Sequence, residues 1–434
     1  MFRFLALASA LCLCLVAAIR GAGADEWPAV IAATKGEKML RIVSLGNGII
    51  AVAGKAGLNQ DAGEISVFNS KTWAGSSVQL PEAIEQLVAG PDGGIVATWR
   101  TGVLYFDRNG RLLWARHFLF NPYGKIKGLA AAPEGGAYVV GETYHPHEKR
   151  YKNSINNVDA HGFIVRIDRR GAILWSRAFV VGENKYVGAD WAAPGPNGGV
   201  FIVAGGDVLR LDAAGNLVWA KYLNIDATYH FANIVSGDGK LVLGGTVWRA
   251  GVHGSDALVV SIGLDGQNSK AIAIDVGATD SIGVVISTGG KMVAAGMTQR
   301  MGPTLEDTVH HKEAWMVALE PDGRVDWSIS ISTDQGELQF VDAATIDENA
   351  VVFGVGSAIL SSAERRSIVV RLPVSSGEPS AACEMIQRAE ARTDSFDVEL
   401  DPIIVRLADI KIENSLVYPT LTVAETSFEK LCGN

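Results

Sequence analysis

Six of the eight histidines crowd into three segments: His145, His147 and His161 between Glu142 and Gly162, His253 between Thr246 and Ser255, and His310 and His311 between Met297 and Lys312. Imidazole is a common metal ligand, so His145-Pro146-His147-Glu148 with His161, or His253 with His310, would be the set to gather a metal. The spacing argues against it, because no helical His-x-x-x-His pair or comparably tight set is present. The expectation is no metal, with His145, His147 and His161 the first candidates if one is bound. Tyr144, Lys149, Arg150, Tyr151, Trp248 and Arg249 accompany these histidines, and aromatic and arginine side chains together suit a recognition rim. The candidate binding residues are therefore Tyr144, His145, His147, Arg150, Tyr151, Trp248, Arg249, His253, His310 and His311, for a protein or glycan ligand. No catalytic set stands out. Asp190, His230 and Asp280 would form an acid/base set if they converge. They belong with Glu85, Lys127 and Gln339, which fall near the starts of recurring apolar strands.

The elements that must position these residues repeat along the chain. One half of the unit is a Gly-containing turn, a short apolar strand and another Gly, as in Pro133-Glu134-Gly135-Gly136-Ala137-Tyr138-Val139-Val140-Gly141 and Gly289-Gly290-Lys291-Met292-Val293-Ala294-Ala295-Gly296. Seven copies, two of them looser, run from Asn47 to Gly354. The other half is a strand, a four-residue turn and a strand ending in Trp: Phe106-Asp107 to Gly110 to Trp114, Ile167-Asp168 to Gly171 to Trp175, Leu211-Asp212 to Gly215 to Trp219, and Leu319 to Trp327. Asp opening and Gly closing such a turn is ordinary turn chemistry, so Asp107, Asp168 and Asp212 are read as structural. The Trp residues are read as packing between neighbouring sheets. Four short strands per unit of this length is the periodicity of propeller blades. The expected fold is all-β, a seven-bladed β-propeller. Blade seven lacks a Trp-ending outer strand after Leu372-Pro373, and Trp27-Pro28-Ala29-Val30-Ile31 would supply it.

With Gly135 to Gly141, then Gly162-Phe163-Ile164-Val165-Arg166-Ile167-Asp168, then Gly171 to Trp175, the chain resembles bacterial secreted propellers built from the SBBP type of β-propeller repeat, near relatives of the quinoprotein-like propellers. The resemblance covers roughly residues 40–375. It implies architecture and says little of activity. No vicinal cysteine pair of the quinoprotein alcohol dehydrogenase kind is present, and no cofactor is expected. Ser332-Thr333-Asp334-Gln335-Gly336 begins like the Asp-box of sialidase-like propellers but occurs once and lacks the following Thr-Trp. No G-x-S-x-G, P-loop, dinucleotide fingerprint or EF-hand loop is found. In an up-and-down blade with strands a to d outward from the axis, the long b–c insertions of blades three, five and six share one rim, where binding usually resides. A binding or scaffold module is expected. The alternative is a hydrolase or lyase on a carbohydrate-like substrate at the channel mouth.

Residues 1–24 read as a secretory signal, with Arg3, an apolar run from Phe4 to Ile19 and Ala22-Gly23-Ala24 before Asp25. Export to the periplasm or outside the cell is expected, with no transmembrane span after cleavage. Cleavage would also remove Cys12 and Cys14, and the remaining Cys383 and Cys432 would form a disulfide. A formal net charge of −9 argues against a nucleic-acid partner. The propeller is expected over 25–377. Residues 378–434 break the repeat and are expected to form a small disulfide-stapled α/β appendage, helical over Ala381 to Ala391, with strands at Ile403 to Ile412 and Leu416 to Val423. A closed ring has no edge that forces pairing, so a monomer is expected.

Overall fold

The computed structural model describes residues 29–432 apart from 34–37, 56–61, 71, 73, 121–122, 147–157, 183–187, 250–253, 278, 301–310, 333–337, 348–349, 362–363, 374–385, 411, 418, 420 and 427. The described chain is β throughout save one short 3₁₀ turn at Pro196–Gly198. It forms seven five-stranded antiparallel sheets. Their innermost strands, among them Lys38–Gly46, Tyr123–Ala131, Thr228–Gly237 and Gln339–Asp347, pack side by side in a closed ring. One apolar cluster fills each seam between neighbouring sheets. Middle strands such as Ile95–Trp99, Gly102–Phe106 and Val200–Ala204 are buried at every position. Their sequences are continuous apolar runs because both faces of a blade lie against another blade.

The outer strands interlock neighbouring blades through the repeat tryptophans. The indole N–H of Trp114 donates to the Arg169 carbonyl at 2.8 Å, that of Trp175 to Ala213 at 3.0 Å and that of Trp219 to Leu264 at 3.3 Å. Each acceptor lies in or beside the strand-c to strand-d turn of the next blade, so one residue supplies both seam packing and a cross-blade hydrogen bond. The turn aspartates serve the same construction. Asp168 accepts the N–H of Arg170 and of Ala172, both at 2.8 Å, and Asp212 accepts those of Ala214 and Asn216.

The expectation of a seven-bladed propeller with a small disulfide-stapled C-terminal appendage is corrected. Six sheets, not seven, are wound from four consecutive strands each. The remaining sheet is a composite of Gln339–Asp347, Ala350–Ser361 and Glu364–Pro373 closed by the N-terminal strand Ala29–Ala33, with Ala29 opposite Arg371 and Ala32 opposite Ile368. The described C-terminal residues form no appendage. They run as a belt around the ring against the chain order of the blades: Ile386–Arg388, Arg392–Phe396, Glu399–Pro402, Val405–Asp409, Glu413–Leu416, Thr422–Thr426 and Phe428–Cys432 each add a fifth strand to a different sheet. Where the expected helix over Ala381 to Ala391 is described, it is the strand Ile386–Arg388 followed by irregular chain. The proposed Cys383–Cys432 pairing and the signal segment 1–24 lie outside the described residues.

The belt has a physical reason. A four-stranded blade leaves the N–H and C=O groups of its outer strand unpaired, and the belt takes them up. Phe396, Val398, Leu400, Val405 and Leu407 are half-buried and pack on the seam clusters. Asp397, Glu399, Asp401 and Arg406 between them are exposed. That alternation is the signature of a strand lying on a core from outside.

Candidate functional site

The terminal Gly of each repeat motif positions the first functional side chain. Opposite Gly141 the inner strand of blade three slips register between Ile126 and Gly128, leaving Lys127 as the extra residue of a β-bulge. A Cβ on Gly141 would stand 2.0 Å from the Lys125 carbonyl oxygen, so only glycine admits the bulge. The same slip recurs opposite Gly245 and Gly296. In blade three the bulged Lys127 meets Glu142 at 2.7 Å and Asp190 of blade four at 3.0 Å. Burial alone would lower the Lys127 ammonium, but its bond to Glu142 and the charge of Asp190 hold it above the ordinary lysine value.

Asp190 stands at a notch in the rim. Blade four joins its second and third strands by Gly205-Gly206 alone, a two-residue hairpin turn with Gly205 at φ +63°. The adjoining blades carry the insertions around 147–157 and 250–253. Beside Gly205-Gly206 lies a cavity of about 290 Å³ lined by Trp191, Tyr222, Tyr229 and Phe231, with His230, Asp190 and the glycine turn completing it. A Cβ at Gly206 would lie 2.5 Å from the Tyr229 hydroxyl, so the tyrosine closes over bare backbone. Tyr229 donates to the Leu223 carbonyl, and burial pushes its phenol well above the ordinary value. Asp190 accepts the Gly205 N–H at 3.1 Å, and Trp191 donates to the Phe231 carbonyl at 3.2 Å. The notch thus has fixed aromatic walls, one exposed imidazole and one carboxylate held by a lysine.

A second cavity, of about 400 Å³, follows the ring axis. Trp191 lines both cavities and is the wall between them. The Arg41 guanidinium lies over that indole at 5.7 Å, with its Nε donating to Gln86 at 2.9 Å. Burial lowers Arg41 from the ordinary arginine value, against the charges of Asp342 and Glu85. Burial pushes the Asp342 carboxyl up to about 6, opposed by Arg41 and by the N–H groups of Ile42 and Ala343. Residues of four blades therefore meet around one arginine on the wall of the axial cavity.

The sequence candidates separate. Asp190 and His230 line one notch, whereas Asp280 lies elsewhere, with Asp256 and Asp275 at the seam of blades five and six. The three do not form one acid/base set. Trp248 ends its strand 43% exposed. Arg249 is tied down, pairing with Asp256 at 2.8 Å and with the belt residue Asp394 at 3.1 Å and stacking on Phe396 at 4.9 Å. His161 pairs in the sheet opposite Thr143 and is half-buried. Tyr144, His145 and His311 are described only as strand backbone; His147, Arg150, Tyr151, His253 and His310 lie outside the described residues. The notch aromatics were not anticipated. Their sequence signal was the two-residue turn Gly205-Gly206 between two long insertions. Arg41 and Asp342 are 301 positions apart in number and no local pattern joins them.

No family model matches the chain, and no curated protein matches it. Solved structures similar to it include the WD40 β-propeller domain of Doa1 (9% identity over 79% of this chain and 97% of that one, TM-score 0.47) and the Neurospora crassa Pan2 WD40 domain (10%, 77% and 89%, 0.44). A protein of unknown function from Dyadobacter fermentans is also similar (11%, 79% and 97%, 0.42). These are propeller domains of various or unknown function, and the SBBP-type class is not among them. Among the described residues no helix is long and apolar enough to cross a membrane.

Proposed function

We propose that the protein is a binding scaffold that engages a protein partner at the rim carrying the insertions of blades three, five and six, with the aromatic notch of blade four as the anchor pocket. The observation that carries this is the notch itself. Four aromatic residues line about 290 Å³ beside the two-residue turn Gly205-Gly206, and fixed aromatic walls are what a side-chain anchor fills. His230 and Asp190 give that pocket polar partners beside an apolar wall. A sugar ring would use the same walls and carboxylate, which makes a glycan the second reading. Catalysis is not favoured, because Asp280 lies apart from Asp190 and His230 and no other described residue lining the notch completes a set. Exported location belongs to the same proposal, resting on the apolar N-terminal run before Ala22-Gly23-Ala24.

The test is unbiased peptide and glycan arrays probed with the purified protein, then repeated with Tyr222→Ala and His230→Ala. A peptide signal weakened at least about tenfold by both notch variants, and untouched by Arg111→Ala on the opposite face, supports the proposal. A glycan signal with the same sensitivity moves the second reading ahead. A signal indifferent to both notch variants contradicts the site.

A further inference from the structure

The seam between blades five and six holds three carboxylates that the notch does not use. Asp256 opens the third strand of blade five (Asp256–Gly263), Asp275 ends the fourth (Lys270–Asp275), and Asp280 begins the first strand of blade six (Thr279–Thr288). One oxygen of each lies within 4.8 Å of the others. Asp280 is 0% exposed. Its Oδ2 accepts the N–H groups of Val276 at 2.8 Å and Gly277 at 3.1 Å, while its Oδ1 has no hydrogen-bond partner among the described residues. Thr298, opposite Asp280 in the sheet, is also 0% exposed, and its hydroxyl lies beside the Asp280 carboxyl without normal hydrogen-bond geometry to any described partner.

The orphan oxygens share one place. A Cβ at Gly277 would stand 2.4 Å from Thr298 Oγ1 and 3.8 Å from Asp280 Oδ1, so both atoms face the space that the missing side chain leaves. Buried oxygens without partners in a native fold call for an explanation. Three clustered acids beside them name its sign, because Arg249 supplies one positive charge to Asp256 and to Asp394 and leaves the cluster in excess. Carboxylates and a hydroxyl, all hard oxygen donors in irregular array and without histidine or cysteine, suit calcium better than zinc or the strict octahedron of magnesium.

We propose that Asp256, Asp275, Asp280 and Thr298 form a calcium site that ties the strand-d to strand-a link between blades five and six to the insertion of blade five. Asp280 and Thr298 supply the dry side of the site, and the exposed Asp275 supplies the side from which the ion enters. Filling it would give Asp280 Oδ1 a partner and set Ser255, whose hydroxyl donates to the Asp280 carbonyl at 3.0 Å, on a fixed base below Trp248 and Arg249. The proposal is independent of the notch.

The test is calorimetric titration of the chelator-treated full chain with CaCl₂, with MgCl₂ as comparison, alongside melting with and without calcium. The expected result is one saturable calcium site, a calcium-dependent rise in melting temperature and at least about tenfold weaker binding in Asp275→Asn, whose exposed position spares the fold. Thr298→Val, close in shape, should weaken calcium binding as well. No heat and no melting shift at millimolar calcium overturns the site. So does magnesium binding as tightly as calcium, or calcium binding that Asp275→Asn leaves unchanged.

Discussion

Asp212 and Asp280 are the same residue type on opposite faces of the propeller. On the turn face, Asp212 accepts two backbone N–H groups and the Asn216 amide. The slight burial that would raise its carboxyl is outweighed by those bonds, which hold it below the ordinary value. Asp92 on the same face is also held low, with burial outweighed by the Tyr105 hydroxyl and the Gly94 N–H. On the loop face, burial pushes Asp280 up, although Thr298 lies close enough to oppose the shift, and burial likewise pushes Asp256 up against Arg249. The difference teaches where a repeat can carry function. Turn-face acids are consumed by the turns that the repeat must make. Asp280, on the loop face, comes from a position that the repeat leaves open, and its Oδ1 makes no hydrogen bond of normal geometry among the described residues.

The largest expected effect concerns the scaffold that both faces share. A chain ending at residue 377 loses the fifth strand of every sheet and exposes their outer edges together. It should aggregate or elute as large assemblies in size exclusion, whereas a well-folded monomer would show that the belt is dispensable. Next, Trp175→Ala removes a half-buried indole and its bond to Ala213, and should cost about 2 kcal/mol in chemical denaturation. An unchanged midpoint would mean that the seam apolar clusters alone hold the blades.

Smaller effects sharpen the contrast between the faces. Asp212→Ala should cost about 1 kcal/mol at pH 7, the scale of losing a capping carboxylate. Because the folded Asp212 carboxyl sits below its unfolded value, that stability is present above the unfolded value and is lost as pH falls through the folded one. The variant and the parent should therefore converge as the pH falls below the folded value of Asp212. Asp280 has the opposite sign. A carboxyl raised by folding favours the folded state at low pH, and that preference is lost as pH rises through its folded value. Without calcium, Asp280→Asn should narrow the fall in melting temperature between pH 4 and pH 7. The half-buried Asp342, raised to about 6, contributes in the same direction over pH 4 to 6. A turn-face variant that shows the loop-face slope would break the comparison.

Much of the scaffold was legible because it is local. Asp168-x-x-Gly171, the Trp two strand positions beyond Ile173, and the Gly closing each apolar strand recur at a fixed spacing, and each is explained by a contact within its own blade or the next. The closing role of Ala29–Ala33 was legible as well, since blade seven lacked an outer strand. The belt was not. Val405 and Leu407 show strand alternation, yet their partners Val181 and Phe179 lie more than 220 positions away. Alternation reports a buried face and does not name the sheet. The notch was half legible: Asp190 and His230 were named, while Tyr222 and Tyr229, which carry no motif of their own, were not singled out. Asp280 was named for the wrong company, because its neighbours are Asp256 and Asp275, at the strand ends of blade five, rather than Asp190 and His230.

The division of labour between the faces is tested most directly by the melting temperature of the parent, Asp212→Ala and Asp275→Asn at pH 7, each with calcium and after chelation. The account predicts that Asp212→Ala melts lower in both conditions and keeps the full calcium increment. Asp275→Asn should match the parent after chelation and lose the increment. Equal calcium increments in all three proteins, or a loss confined to Asp212→Ala, would contradict it.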